Sequence, residues 1–383
     1  MAVFIHTSGW HIGSGFAHFD RETGKKLNRA RLTAVESIFV YARKKKIPLI
    51  LCAGDAVDNG QLAPGKNLLD LFVVIKRYPE ITVVMITGNH DPLMANTIYR
   101  RVKESDYPGN LHLVKGTEII PFEPLNLKIF AASTTEKNGD YNPLNRIRVE
   151  DIDETKINIG LGYGSTRIGP DFAEVKKLDY LALGEFHSYT KINDRTFYCG
   201  VPEPLDFADD GYPLEVTIEK RGQIPKIEKV SGVQQYRWTQ QELEMSDARF
   251  EDFRGQLESL AVEEKEIKKL EISGFLSAEN YKIYKELLQI NRNRYYEIVD
   301  HVSLAPTADD LSGIGDGYTK ELVQRLMNMK ESEEPLPEEI LNGVIPADQL
   351  SMEELLKITK NDIINTALLK FYKSMPPAAR DSF

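Results

Sequence analysis

Two short segments combine residue types that could act together on a phosphoester: Gly54-Asp55-Ala56-Val57-Asp58 and Gly88-Asn89-His90-Asp91. A carboxylate at Asp55 can bridge two cations, the amide oxygen of Asn89 can ligate one of them, and the neighbouring imidazole of His90 can donate a proton. The glycines let the backbone turn sharply, so that these short side chains face inward. A third segment, Gly9-Trp10-His11, brings a further imidazole. Any one of these matches is weak alone. Their order, each behind an apolar run, is what makes them specific.

Those runs are Val3–His6, Leu49–Cys52 and Thr82–Ile86, and helical patterns near Lys26–Lys45 and Ala63–Arg77 separate them. Such alternation predicts a layered α/β domain. Ligand sites in α/β sheets gather at the carboxyl ends of strands, so the three loops are expected to converge on one point. Further strands are expected at Leu127–Ala131, Ile157–Gly160, Tyr180–Leu183, Thr196–Cys199 and Leu214–Ile218, which ends the first domain near Lys220. A small α+β module follows. In it Phe250, Phe253, Leu257 and Leu260 make a helical stripe, Ile267–Ile272 and Tyr295–Val302 read as strands, and Tyr281–Ile290 is helical. After Pro306 the chain becomes acidic and punctuated by Gly and Pro, with helices predicted at Tyr318–Met329 and Met352–Lys373 around a linker at Glu331–Glu339.

The 383 residues, 42% hydrophobic and 28% charged, describe an ordinary globular protein of more than one part. No secretory leader and no run of about eighteen apolar residues is present, so a cytoplasmic protein without a membrane span is expected. The two cysteines, Cys52 and Cys199, sit in apolar contexts and read as free core thiols. A formal charge of −10 leaves any nucleic-acid contact to local basic clusters. Arg43-Lys44-Lys45-Lys46, Arg100-Arg101-Lys103 and Arg292-Arg294 are the candidates, each read first as a solvated edge.

Taken in order, these motifs resemble those of the calcineurin-like metallophosphoesterases, and within them the SbcD-type DNA nuclease subunits that work with SMC-like ATPases. His6-Thr7-Ser8-Gly9-Trp10-His11-Ile12-Gly13 resembles the opening motif. Leu183-Gly184-Glu185-Phe186-His187, followed by Tyr198-Cys199-Gly200-Val201-Pro202-Glu203-Pro204-Leu205-Asp206-Phe207, resembles the last metal motif and the segment after it. The resemblance implies a β-sandwich flanked by helices over residues 1–220, a DNA-binding cap over 221–305, and helices over 306–383 that reach the ATPase partner. It makes His11 and His187 ligands of one metal, Asp55 the bridging ligand and Asn89 a ligand of the second. His90 becomes the general acid or phosphate-positioning group, oriented by Asp91. Manganese, or magnesium, is the implied cofactor as one or two ions. Double-stranded DNA and an SMC-like ATPase are the implied partners, and a homodimer through helices of the first domain is open to it.

Three positions depart from the pattern, all where ligands belong. Gly9 replaces an aspartate, Tyr163 stands where a histidine follows a strand, and Glu185 replaces the first histidine of the final pair. A neutral phenol is a poor ligand near pH 7, whereas a carboxylate still suits manganese or magnesium. With both ligand sets incomplete, metal affinity and phosphodiester hydrolysis are expected to be weakened or lost. Three functions stay in play: a DNA nuclease subunit, a catalytically weak DNA-binding scaffold, and a phosphatase on another phosphoester. Asp58 reads foremost as a turn cap. Trp10 is expected to pack under the site and Trp238 to begin the second unit as a core aromatic. His6, His18, His112 and His301 carry no motif support.

Overall fold

The computed structural model describes residues 1–16, 19–58, 64–95, 97–135, 152–165, 177–247, 250–259, 265–291, 297–304, 318–337, 340, 359–360, 363–364 and 367–368. The chain divides into two compact units, Met1–Trp238 and Thr239–Phe383. His18, the Arg292-Arg294 cluster and most of the helix expected over Met352–Lys373 lie outside the described residues.

In the first unit, β1 (Ala2–Thr7), β2 (Leu49–Ala53), β3 (Thr82–Ile86) and β4 (Leu111–Leu113) run parallel. β11 (Leu214–Ile218) and β12 (Lys226–Lys229) join antiparallel on the far side, giving the order β12-β11-β1-β2-β3-β4. The second sheet contains β5 (Thr117–Phe122), β6 (Leu127–Ala132), β7 (Ile157–Tyr163), β8 (Tyr180–Gly184), β9 (Thr190–Asn193) and β10 (Thr196–Tyr198), in the order β5-β6-β7-β8-β10-β9. β6, β7, β8 and β10 are parallel, with β5 and β9 antiparallel at the edges.

The central strands are apolar on both faces because both faces are covered. Phe4, Leu49, Leu51, Val84 and Ile86 of the first sheet meet Ile129, Leu161, Tyr180 and Ala182 of the second. On the outer face of the first sheet, Ile5, Ile50, Cys52 and Val83 receive α1 (Arg21–Lys45) and α2 (Pro64–Lys76) through Val35, Ile38, Phe39, Leu71, Phe72 and Ile75. This is the helix-flanked β-sandwich expected from the sequence. Both cysteines are buried and free, also as expected. The unit runs past the boundary placed near Lys220, because β12 adds an edge strand and Val230 and Val233 bury in the outer core.

Asp20 starts α1 by accepting from the backbone N–H groups of Glu22 and Thr23, a cap worth about 1 kcal/mol. Lys46 ends it in the left-handed region. The buried face of α1 is apolar except at Arg31.

The second unit is built on one sheet of β13 (Arg237–Met245), which begins with the last two residues of the first unit, β14 (Glu266–Leu276) and β15 (Glu297–Leu304), with β14 and β15 parallel. α3 (Phe250–Ser259) and α4 (Ala278–Asn291) complete a core of Met245, Phe253, Leu270, Ile272 and Tyr284. This is the small α+β module that the periodicity predicts. α5 (Tyr318–Glu331) places Val323 and Leu326 against Ile364 and Leu368, so these apolar residues of the tail pack on one another. Trp238 differs from expectation: it closes the first unit, where its ring meets Phe19 and Phe207 at 5.7 and 5.0 Å.

His6, given no role from sequence, joins the two sheets. Its Nδ1 lies 2.9 Å from the Tyr180 hydroxyl and its Nε2 3.2 Å from the carbonyl of Leu183. The carbonyl must accept, so Nε2 carries the proton and Nδ1 accepts from Tyr180. Burial lowers the pKa from 6.5 to about 3. Unfolded protein therefore binds a proton in that interval that the folded protein does not, and stability falls as pH drops from 6.5 towards 3. His6→Gln is expected to flatten this acid limb by up to ~1.4 kcal/mol per pH unit, as measured by urea unfolding at successive pH values.

Candidate metal centre

Five loops leave the carboxyl ends of parallel strands at one end of the sandwich: after β1, β2 and β3 in the first sheet, and after β7 and β8 in the second. The first two stay paired beyond their strands, since Gly9 N–H donates to Gly54 O, His11 N–H to Asp55 O and Ile12 N–H to Ala56 O at 3.0, 2.9 and 3.1 Å. To turn inward, His11 and Asp55 take positive φ values of 43° and 54°. Non-glycine residues pay for that conformation, roughly 1–3 kcal/mol each, only where their surroundings impose it.

Asp91 supplies much of that imposition. It is fully buried, and its carboxylate accepts from the N–H groups of Gly88, Ala56 and Val57 and from the Tyr99 hydroxyl. The expected role for Asp91, orienting His90, is thereby corrected. Both its oxygens are engaged in tying the β2 loop to the β3 loop. Asp58 faces His90 instead, with Oδ2 3.7 Å from His90 Nδ1. That contact, strengthened by Asp55 and opposed by burial, raises the pKa of His90 and favours its protonated form.

His11 is buried, and neither ring nitrogen has a hydrogen-bond partner. Its Nε2 lies 3.9 Å from Asp55 Oδ2, and its ring stands edge-on to those of His90 and His187 at 4.7 and 5.2 Å. Burial first, then the charges of Arg31, His90 and His187, drive its pKa well down, which favours the neutral imidazole. One ligand atom each from His11, Asp55 and His90 lie within 4.8 Å of one another. Asp55 is nearly inaccessible, and burial together with Asp91 pushes its carboxyl well above the usual range against the opposing pull of His90.

Tyr163 occupies the other side of Asp55. Its hydroxyl is 2.7 Å from Asp55 Oδ2 and 2.8 Å from Asn89 Oδ1. Burial and the nearby Asp55 push the phenol further up, so it stays neutral. Its ring lies on bare glycine: a Cβ at Gly54 would meet it at 2.5 Å, and one at Gly88 at 2.6 Å.

Glu185 and His187 arrive from the β8 loop. Glu185 adopts φ 121°, and its Oε2 is buried without a partner. His187 Nδ1 lies 3.1 Å from Asp209 Oδ1, while Asp209 Oδ2 accepts from the N–H groups of Leu205 and Asp206. A carboxylate behind an imidazole orients the ring and leaves Nε2 for a metal. Arg31 braces the opposite wall from α1. Its Nε donates to the carbonyl of Trp10, and its terminal nitrogens to those of Gly9, Glu203 and Pro204. Burial lowers its pKa to about 10 against the charges of Glu203, Asp209 and Asp58, and it stays cationic. Trp10 is buried beneath the loops as expected, its indole donating to Thr7 Oγ1.

Arg31, Asp209 and the Asp58–His90 contact were not read from sequence. Only Arg31 left a signal: it falls in the apolar stripe with Leu27, Ala34, Val35 and Ile38, where an unpartnered charge would be expensive. The donor set of one side fits a divalent cation. His11 offers an orphaned ring nitrogen, Asp55 an oxygen and His90 an imidazole within 4.8 Å of one another, and the His187 ring stands 5.2 Å from that of His11. Such mixed nitrogen and oxygen donors suit manganese, iron or zinc, and a carboxylate-rich set suits magnesium.

Reinstating a carboxylate at Gly9 meets an obstacle invisible in sequence. A Cβ there would lie 2.7 Å from Val201 Cγ1. The φ of 58° adds backbone strain, which Asp bears better than most residues, so packing and backbone both contribute to the penalty. Gly9→Asp is expected to lower stability by about 1–3 kcal/mol, and Gly9→Asp with Val201→Ala to recover at least half of that loss. Chemical denaturation of the two variants checks this.

Residues 2–189 match the family described as Calcineurin-like phosphoesterase, so the match begins with β1 and closes just beyond His187. No curated protein matches the chain. Among the described residues, no helix is long and apolar enough to cross a membrane. Two packed sheets, loops at the carboxyl ends of their parallel strands and a His/Asp cluster suited to a divalent cation agree with the family match: the chain carries a calcineurin-like phosphoesterase domain.

Proposed function

We propose that this protein is an SbcD-like subunit of a DNA-processing complex with an SMC-like ATPase, acting in break repair or defence against foreign DNA, with weakened manganese-dependent phosphodiester hydrolysis. The observation that carries the hydrolytic part is the half-exposed His90 set edge-on against the buried, unpartnered His11 beside Asp55. A bound divalent cation would polarise a phosphoryl oxygen and lower the pKa of a bound water. His11, Asp55 and His187 would hold it. His90, 44% exposed at its side chain and with its protonated form favoured by Asp58, is placed to donate a proton to a leaving oxygen or to hold a phosphate.

The choice of DNA rests on the resemblance of the Leu183–His187 and Tyr198–Phe207 segments to the SbcD type, and on the separate α+β unit and tail helix that follow, which a stand-alone phosphatase does not need. A second reading, a DNA-binding scaffold that does not cut, is favoured by one feature: Gly9 and Tyr163 stand where ligands belong.

A manganese-dependent assay on linear duplex DNA separates the readings. Slow cleavage is expected, lowered roughly 100- to 10,000-fold by His90→Ala and abolished by Asp55→Ala. Duplex binding without cleavage would establish the scaffold, and cleavage surviving both substitutions would remove this site from the account. Co-expression with an SMC-like ATPase from the same genome should yield a co-purifying complex.

A further inference from the structure

We infer that this protein binds one divalent cation, on the His11 side of Asp55, and that the Tyr163 hydroxyl fills the position beside it that a second cation would need. The inference rests on the metal-dependent reading proposed above and specifies how many ions that reading involves.

A second cation shared through Asp55 would have to bond Asp55 and Asn89 together. The oxygens available for this are Asp55 Oδ2 and Asn89 Oδ1, and both point at the Tyr163 hydroxyl, at 2.7 and 2.8 Å. Manganese or magnesium sits about 2.0–2.2 Å from oxygen ligands. An ion bridging both oxygens would compete with the hydroxyl that now bridges them, so the hydroxyl must give up these hydrogen bonds for the ion to enter. Asp55 Oδ1 offers no substitute, because it accepts the N–H of His90 at 2.9 Å and points into the β3 loop.

Nor can Tyr163 readily swing aside. Its ring is buried, and it lies on Gly54 and Gly88 so closely that a methyl group on either would collide with ring carbons. Those glycines belong to the same two loops that Asp91 ties together, so moving the ring means moving the loops. On the His11 side the same oxygen, Asp55 Oδ2, meets no such plug: it lies 3.9 Å from His11 Nε2. Both nitrogens of His11 are unpartnered there, although the residue is 1% exposed.

Manganese titration followed by electron paramagnetic resonance tests the inference without reference to activity. The wild-type protein is expected to take up one Mn2+ per chain with the six-line spectrum of an isolated ion. Tyr163→His, which replaces the plug by a ligand, is expected to take up two, with the broadened spectrum of ions coupled at roughly 3.5–4 Å. Tyr163→Phe, which keeps the ring and its packing, is expected to admit a second, weaker equivalent. Two coupled ions in the wild type would overturn the inference while leaving the metal-dependent reading intact. One ion in the wild type and still one in both variants would also overturn it, since Tyr163 would then not be what excludes the second. No bound manganese in the wild type would sink the metal-dependent reading itself, and the inference with it.

Discussion

The Asp91 carboxylate accepts hydrogen bonds from Gly88, Ala56, Val57 and Tyr99 in a site with no solvent access, and the geometry of the metal loops follows from that. Each of those N–H groups left unsatisfied would cost about 1–3 kcal/mol, so the β2 and β3 loops are held together whether or not a ligand is bound. Once they are joined, His90 N–H reaches Asp55 Oδ1 and the Asp55 side chain is turned toward His11. Preorganisation of this kind places the charge cost of the site in folding rather than in ligand binding.

That cost is visible in the protonation states. Burial raises the pKa of both carboxylates, Asp55 and Asp91, with Asp91 adding to the rise at Asp55, and a buried imidazole beside them is kept neutral. Asp91 has backbone donors and a hydroxyl to offset its burial. Asp55 has fewer, and it faces the unpartnered nitrogens of His11. A cation in that gap would relieve both residues at once. On the far side of Asp55 a tyrosine hydroxyl gives partial relief without added charge, and Arg31 supplies a fixed positive charge behind the β1 loop. The three substituted ligand positions are therefore unequal. Gly9 leaves space that Val201 has filled, Tyr163 fills a position outright, and Glu185 keeps an oxygen free.

Much of this was legible in the sequence because the central strands are buried on both faces and so read as unbroken apolar runs, with the chemistry placed immediately after them. Residues His11, Asp55, Asn89, His90 and His187 stood out for that reason, and the structure brings their loops to one end of the sandwich. The edge strands were not legible. β5 alternates between exposed and half-buried positions, and β9 and β12 are largely exposed, so neither hydrophobicity nor period marked them. The supporting carboxylates were assigned by sequence adjacency, which fails where the chain turns sharply. Asp91 neighbours His90 along the chain but faces the backbone, whereas Asp58, from another loop, faces the ring. Asp209 reaches His187 across a segment whose course no local pattern announces.

Anomalous scattering from manganese-soaked crystals tests the cation-binding gap between His11 and Asp55 most directly. A single peak within bonding distance of His11 and Asp55, with Tyr163 still bridging Asp55 and Asn89, is the predicted result. An empty gap at saturating manganese, with His11 contacting only protein or water, would contradict it.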